Sequence, residues 1–541
     1  MIRKSVHQSP CSLRILALCI AFLLLSGSGM VATSADAASS VGKGGAKQSP
    51  QVSAMVAARF LEQSSWGPTA ATIAQVQQGS LQAYLQQQFA APITYYTTPG
   101  PTDKINVLQN QFFVNALTGQ DQLRQRVSFA LSEIIVISGV GTNIKSPTAF
   151  SLWMNMMQND AFGNFYNLLN DVTLSPSMGS YLNMANNNGC KVNCRPNENY
   201  ARELLQLFSI GLYQLNIDGT PQLDQNGNLI PTYGQDTIDG FGALFTGWAY
   251  PPEPGAQPHF FNKPYYSGPM LPYQQHYSRS SKVLLNGVTL PANGNIQADL
   301  TTGLQNVFNH PNVGPFICQQ LIQKLVTSNP SPAYVSRIAT VFNNDGTGVR
   351  GNLQAVISAI LLDPEARRGD DPTQVQPSDG HLREPLLHIL SALRAVSATT
   401  DGVNLSTYAN TMSQPPFLSP SVFNFYPPNY QVQGTPLLGP EFKLLNANTT
   451  MARINFLNDL IYGSVGPHTT TDISAYVNVA GNVTTLLNLV NTNIMHGEMP
   501  SDMYSTLSTT LSSSAFSGNP TATAQAALYL ALSSSQFQME H

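Results

Sequence analysis

Residues 196–210 constrain this chain more than any other stretch. They read Pro196-Asn197-Glu198-Asn199-Tyr200-Ala201-Arg202-Glu203-Leu204-Leu205-Gln206-Leu207-Phe208-Ser209-Ile210, and Gly211 closes them. On a wheel of about 3.6 residues per turn, Ala201, Leu204, Leu205 and Phe208 share one side, with Tyr200 and Leu207 at its margin. Glu198, Asn199, Arg202, Glu203 and Gln206 fill the opposite arc. The run is therefore an amphipathic helix with Pro196 at its first position and Glu198 in its first turn, where a carboxylate suits the helix dipole. Glu198 and Arg202 stand four apart in the acid-before-base order, an ion pair worth about 0.2–0.5 kcal/mol if exposed. Pairing and capping account for those two residues as structure. The functional reading needs the carboxylates to face a cleft, where burial and a neighbouring Arg pull their pKa values apart into an acid and a base. Glu203 is the sharper candidate, because Arg202 beside it points elsewhere on the wheel.

Helical periodicity dominates the rest. Thr69 caps a helix to Gln78, Ser80 another to Phe89, and Asp121 opens a long one in which Leu123, Val127, Leu131 and Ile134 recur. Further helices are predicted over 148–159, 164–172, 237–246, 315–326, 332–342, 351–362 and 382–396. The fold class is mainly α, a multi-helix globular protein.

Residues 215–290 break the pattern, being rich in Pro, Gly and Tyr. Asn226-Gly227 between two short apolar-polar runs predicts a β-hairpin. Asp224, Asn226 and Asn228 echo a calcium loop, but the Gly is misplaced and the closing Glu is missing, so the hairpin is preferred. Long irregular segments in compact proteins tend to cover a site. A second one runs over 412–439, where Pro415, Pro416, Pro420, Pro427 and Pro428 alternate with Phe417, Phe423, Phe425 and Tyr426.

The N-terminus points to export. Arg3, Lys4 and Arg14 precede an apolar run over 15–25, and Ala35-Asp36-Ala37 fits a cleavage site. Eleven apolar residues fall short of the roughly 18–20 that cross a bilayer. Residues 1–37 are expected to be a signal peptide, 38–50 a flexible linker and 51–541 the helical domain of a periplasmic or extracellular protein with no membrane span after cleavage. Some 500 mature residues suit two packed subdomains or one elaborated domain. Charged residues make up only 10% of the chain, against about 25% in typical soluble proteins, and Asn, Gln, Ser and Thr replace them. A net charge of −4 leaves no basic stripe for nucleic acid. Cys190 and Cys194 read as a short disulfide loop in an oxidising compartment, and Cys318 as a buried free thiol.

The remaining chemistry is sparse. There is no Gly-x-Ser-x-Gly elbow, no phosphate-binding loop and no His-Glu-x-x-His. A mixed metal shell would need His259 or His276 from the irregular segment beside the central carboxylates. The catalytic candidates are thus Glu203, Glu198, Arg202 and His276. Tyr200, Gln206, Tyr233 and Trp248 are candidates for binding; Trp248 also fits a core indole after a Gly helix stop. No cofactor is specified.

Asn197 to Leu204, then Phe245-Thr246-Gly247-Trp248, then His310-Pro311, then Leu361-Leu362-Asp363-Pro364-Glu365 together resemble the bacterial family called Domain of Unknown Function 1800. The likeness runs from about Ala57 to Leu530. It implies an exported bacterial protein, a partner exported protein encoded nearby, and no assigned activity. Two positions depart from the family pattern: Gln206 stands where a Glu is expected, and Gln235 closes a Tyr-x-Glu step. Both swaps remove charge while keeping hydrogen-bonding capacity. Two functions compete. One is a noncatalytic protein that binds or organises an envelope component or extracellular polymer such as a polysaccharide, motivated by low charge, amides and aromatic loops. The other is a secreted hydrolase using the carboxylates of the central helix. If that helix is scaffolding, the site is expected under the aromatic loop over 415–430.

Overall fold

A computed structural model describes residues 52–142, 144, 146–189 and 195–540. The expected signal peptide and linker, and the expected Cys190–Cys194 disulfide, lie outside the described residues. The chain divides into two compact units, Val52–Asp472 with Gln538–His541, and Ile473–Phe537. Both are helical. Among the described residues, strands come only as three antiparallel pairs: Trp248–Ala249 with Leu271–Pro272, Lys282–Val283 with Thr289–Leu290, and His381–Leu382 with Met539–Glu540. The mainly α class read from periodicity holds. No helix of the described residues is long and apolar enough to cross a membrane.

Local signals set many helix starts. Thr69 forms a reciprocal capping box with Thr72 ahead of Ala70–Gln77, and Ser80 accepts from the Ala83 amide ahead of Leu81–Ala90. The helix over 196–210 begins later than expected, at Asn199. Asn187 holds the Asn197 backbone at both N–H (3.0 Å) and C=O (3.1 Å), and Asn197 Oδ1 accepts from the Asn199 amide at 2.9 Å. Those side-chain bonds keep Pro196 and Asn197 out of the helix. In the irregular segment, Leu223 bridges Leu229 around the Asn226-Gly227 turn, with Gly227 at φ +81°. Asp224 Oδ1 accepts from the Asn226 and Asn228 amides, the turn's own hydrogen bonds.

The larger unit is organised around Gln122–Ile134, which packs on Pro147–Asp160, Val313–Leu325, Leu81–Ala90 and Ala54–Ser64. Its apolar stripe of Leu123, Val127, Leu131 and Ile134 is buried, but so are Gln122, Arg124, Gln125, Arg126, Ser128 and Glu133. A helix this polar is held inside by side-chain bonds to neighbouring elements, although among the described residues Arg124 Nε and Arg126 Nε and Nη1 find no hydrogen-bond partner. Arg124 donates to Gln158 O at 2.8 Å, Arg126 to Lys324 O at 2.7 Å, and Gln122 to Ala116 O at 3.0 Å. Cys318, on Val313–Leu325, is a buried free thiol as its position predicts.

The smaller unit packs Ser474–Val479, Val483–Asn493, Ser501–Leu511 and Pro520–Leu532 around Leu486, Leu487, Val490, Leu507, Ala527 and Leu528.

Candidate functional site

The central helix places its candidate residues in three environments. Glu198 and Arg202 form the ion pair their spacing predicts, at 3.1 Å, with the Arg202 side chain 42% exposed. Gln235 Nε2 also donates to Glu198 Oε2, at 3.2 Å. Tyr200 points inward, its hydroxyl 2.6 Å from Thr173 Oγ1 and its ring edge-on to Phe245. Glu203 is half-buried, and among the described residues its Oε2 has no hydrogen-bond partner. Burial pushes its carboxyl up while Arg202 pulls the other way, and the charge of Glu203 helps to raise Tyr181 and Tyr233 above the usual phenol range, behind the larger effect of their own burial. The Tyr233 hydroxyl likewise has no partner among the described residues. Gln206 is half-buried in the helix's last turn.

His276 has different neighbours. Its ring stacks on Phe260 at 3.9 Å, meets Phe261 edge-on, and approaches Asn188 Oδ1 at 3.2 Å. No interaction joins it to Glu203 among the described residues. His259 is exposed and Trp248 is buried in its strand pair. No group of three or more His, Cys, Asp or Glu suited to a metal occurs among the described residues.

A second carboxyl cluster lies inside the larger unit. Glu133 occupies the last turn of Gln122–Ile134, and Glu384 the N-cap of Pro385–Ala395. Tyr426 bridges them: its hydroxyl lies 2.5 Å from Glu384 Oε2 and 3.2 Å from Glu133 Oε1. Asn424 Nδ2 donates to Glu133 Oε1 at 2.9 Å, and Gln414 Nε2 donates to Glu384 Oε2. Gln414 also accepts from the Leu386 amide at 3.0 Å, filling the capping role that Glu384 leaves open. Lys324 Nζ sits 3.5 Å from Glu133 Oε2, 3.2 Å from the Tyr426 hydroxyl and 4.2 Å from the Tyr426 ring centroid.

Two like charges this close do not both persist in a buried site. Accordingly the Glu133 carboxyl is pushed up to about 8, by burial first and by Glu384 next, against the pull of Lys324. Burial and Glu384 both favour its protonated form. Behind this pair, Arg126 reaches Glu540 at 3.9 Å, and His381 lies between Glu540 (3.8 Å) and Glu441 (3.7 Å). Burial opposes charge on His381, but the two carboxylates outweigh it and its pKa is raised.

The segment that carries Gln414, Asn424 and Tyr426 is strained. Ser413, Phe417 and Asn424 all have positive φ, at +70°, +69° and +60°. Asn tolerates that region, but a bulky Phe there costs on the order of 1–2 kcal/mol. The Phe417 ring is held by Tyr96, Phe112 and Phe150. Such strain persists where surrounding contacts over-determine the backbone, as at sites.

Glu133 borders two cavities. One, of ≈ 50 Å³, is enclosed by Phe112, Phe129, Phe150, Trp153 and Phe417, with Ser419 at its edge. The other, of ≈ 200 Å³, has Glu133, Lys324 and Tyr426 at its floor, Gln319, Gln320 and Gln323 along one wall, and Phe423 at an exposed rim. Leu207 and Phe316 also line it, so the end of the central helix forms part of this pocket. Asn312, next to His310-Pro311, ties the two regions by donating to Ile210 O and Tyr213 O, both at 2.8 Å. Gly211, at φ +72°, allows the close pass, because a Cβ there would stand 2.8 Å from the Phe316 ring.

No curated protein and no solved structure matches this sequence. One family model does, that of the "Protein of unknown function (DUF1800)", over residues 59–539. The match takes in the central helix, the Thr246-Gly247-Trp248 step, the His310-Pro311-Asn312 stitch and every residue of the carboxyl pocket, and with nearly the whole chain covered, the protein belongs to the DUF1800 family.

Proposed function

We propose that this protein is exported and binds a unit of an envelope component or extracellular polymer, without turning it over, in the pocket beneath Phe423. One observation carries the reading: three glutamine side chains, a lysine and an exposed aromatic rim converge on one cavity that reaches the surface. Amides and ring faces are the groups that recognise hydroxyl-rich rings. A volume of ≈ 200 Å³ accommodates about one sugar ring rather than a folded partner. The leader over 1–37 supports export, and the low charge of the chain suits a polymer-rich surrounding. Equilibrium binding of the purified mature protein to soluble oligosaccharides and muropeptides tests the reading. Phe423→Ala should weaken binding about tenfold, near 1.4 kcal/mol. Absence of binding to every probe by the unaltered protein would remove the proposal.

A second reading, a secreted hydrolase working through Glu203, draws on the unpartnered Glu203 Oε2 and its raised carboxyl. Glu203→Gln keeps volume and removes proton transfer, so under this reading it abolishes turnover in a hydrolytic screen while binding persists. Undiminished turnover in that variant, or none in the parent protein, excludes it.

A further inference from the structure

Resting on the binding reading above, we infer that the pocket beneath Phe423 selects an acidic unit of its ligand, a uronate or similar carboxylate-bearing sugar. Glu133 and Lys324 are the charged side chains in its lining. They do not cancel. Burial and the neighbouring Glu384 favour the protonated form of Glu133, so the Lys324 ammonium is the cation in the lining, with Glu384 and Glu441 behind it. Gln319 adds an amide to the lining, while Gln320 and Gln323 each donate one N–H to a backbone carbonyl, of Phe316 and Ser328. A cation among neutral donors in a partly desolvated site favours a carboxylate over a hydroxyl.

The same geometry makes the selectivity depend on pH. Of the groups facing Glu133, Glu384 disfavours its ionisation and Lys324 and Arg126 favour it, while the Tyr426 hydroxyl and the Asn424 amide donate to its Oε1. Burial and Glu384 prevail, and the carboxyl's pKa is pushed up to about 8. Above that pH the new anion, 3.5 Å from Lys324, cancels its charge. Acidic ligands then lose their advantage.

Calorimetric titration of the mature protein with oligogalacturonate, oligomannuronate and a neutral cello-oligosaccharide of equal length tests this. At pH 6 an acidic probe should bind at least tenfold more tightly than the neutral one, and by pH 9 the difference should vanish. Glu133→Gln, which fixes a neutral side chain, should extend the acidic preference to pH 9. Lys324→Gln should remove the preference at pH 6 and Lys324→Arg should restore it, the restoration guarding against a mere folding defect. A neutral probe bound as tightly as both acidic ones at pH 6 overturns the inference while leaving the binding reading intact. So does an acidic preference that Glu133→Gln leaves with an unchanged pH profile. Binding of no probe at all overturns both.

Discussion

Glu203 and Glu133 are both helical carboxylates whose pKa values burial raises, yet their surroundings differ in kind. Around Glu203 the nearest charge is a partly exposed Arg202, itself occupied by Glu198 at the surface. Around Glu133 a second carboxyl, a lysine, a tyrosine and two amides are all interior or nearly so, and a strained segment delivers three of them. The first arrangement is what a well-formed surface helix produces with few constraints. The second asks much more of the fold, because each buried charge costs several kcal/mol unless it is paired and hydrogen-bonded. What separates them is therefore the amount of surrounding structure each requires, and by that measure the carboxyl pair under the aromatic loop is the more elaborately supported site.

The largest expected effect sharpens that contrast. Arg126→Met removes a fully buried guanidinium that bonds Lys324 O and faces Glu540, and should cost about 3–5 kcal/mol in chemical denaturation. Arg202→Met removes a partly exposed one and should cost no more than about 0.5 kcal/mol. Similar losses at the two positions would mean that the interior network is not the fold's electrostatic centre.

Legibility in the sequence follows the same division. Caps at Thr69 and Ser80, the turn at Asn226-Gly227 and the stripe from Leu123 to Ile134 are local signals, and the structure honours them. The start of the central helix was misplaced because Asn187, ten residues upstream of Asn197, decides it through side-chain bonds. The helices Ala54–Ser64, Ile296–Phe308 and Ala447–Tyr462 start at side-chain caps on Ser53, Asn295 and Asn446 that a reading led by apolar periodicity passes over, because polar residues are buried among their apolar positions; Ile105–Thr118 has no side-chain cap at all. Glu133 lies off the apolar stripe of its helix, and nothing within that helix shows that Lys324, Glu384 and Tyr426 surround it. One local signal was present: Glu133 runs directly into Ile134-Ile135-Val136-Ile137, which leaves a charged side chain little wet surface to occupy. Another was the Pro and aromatic alternation over 412–439, which marked the covering loop without revealing what it covers.

The smaller expected effect tests the comparison through pH. A carboxyl whose pKa is higher in the folded chain than in the unfolded one binds its proton more tightly when folded. Its contribution to stability is then fully present below the unfolded value of 4.5 and is lost as pH rises through about 8. The parent protein should therefore lose stability across that window, and Glu133→Gln, with no proton to lose, should flatten the loss by on the order of 3 kcal/mol. Glu203→Gln should act in the same direction but much less, because its half-exposed carboxyl is screened by water and opposed by Arg202. Denaturant midpoints of the three proteins at several pH values between 4 and 9 separate the cases. An equal flattening by both substitutions would place the two carboxyls in equivalent environments and dissolve the distinction drawn between them; no flattening by Glu133→Gln would mean that Lys324 and Arg126 keep Glu133 ionised, and that its proton is not what leaves the pocket positive.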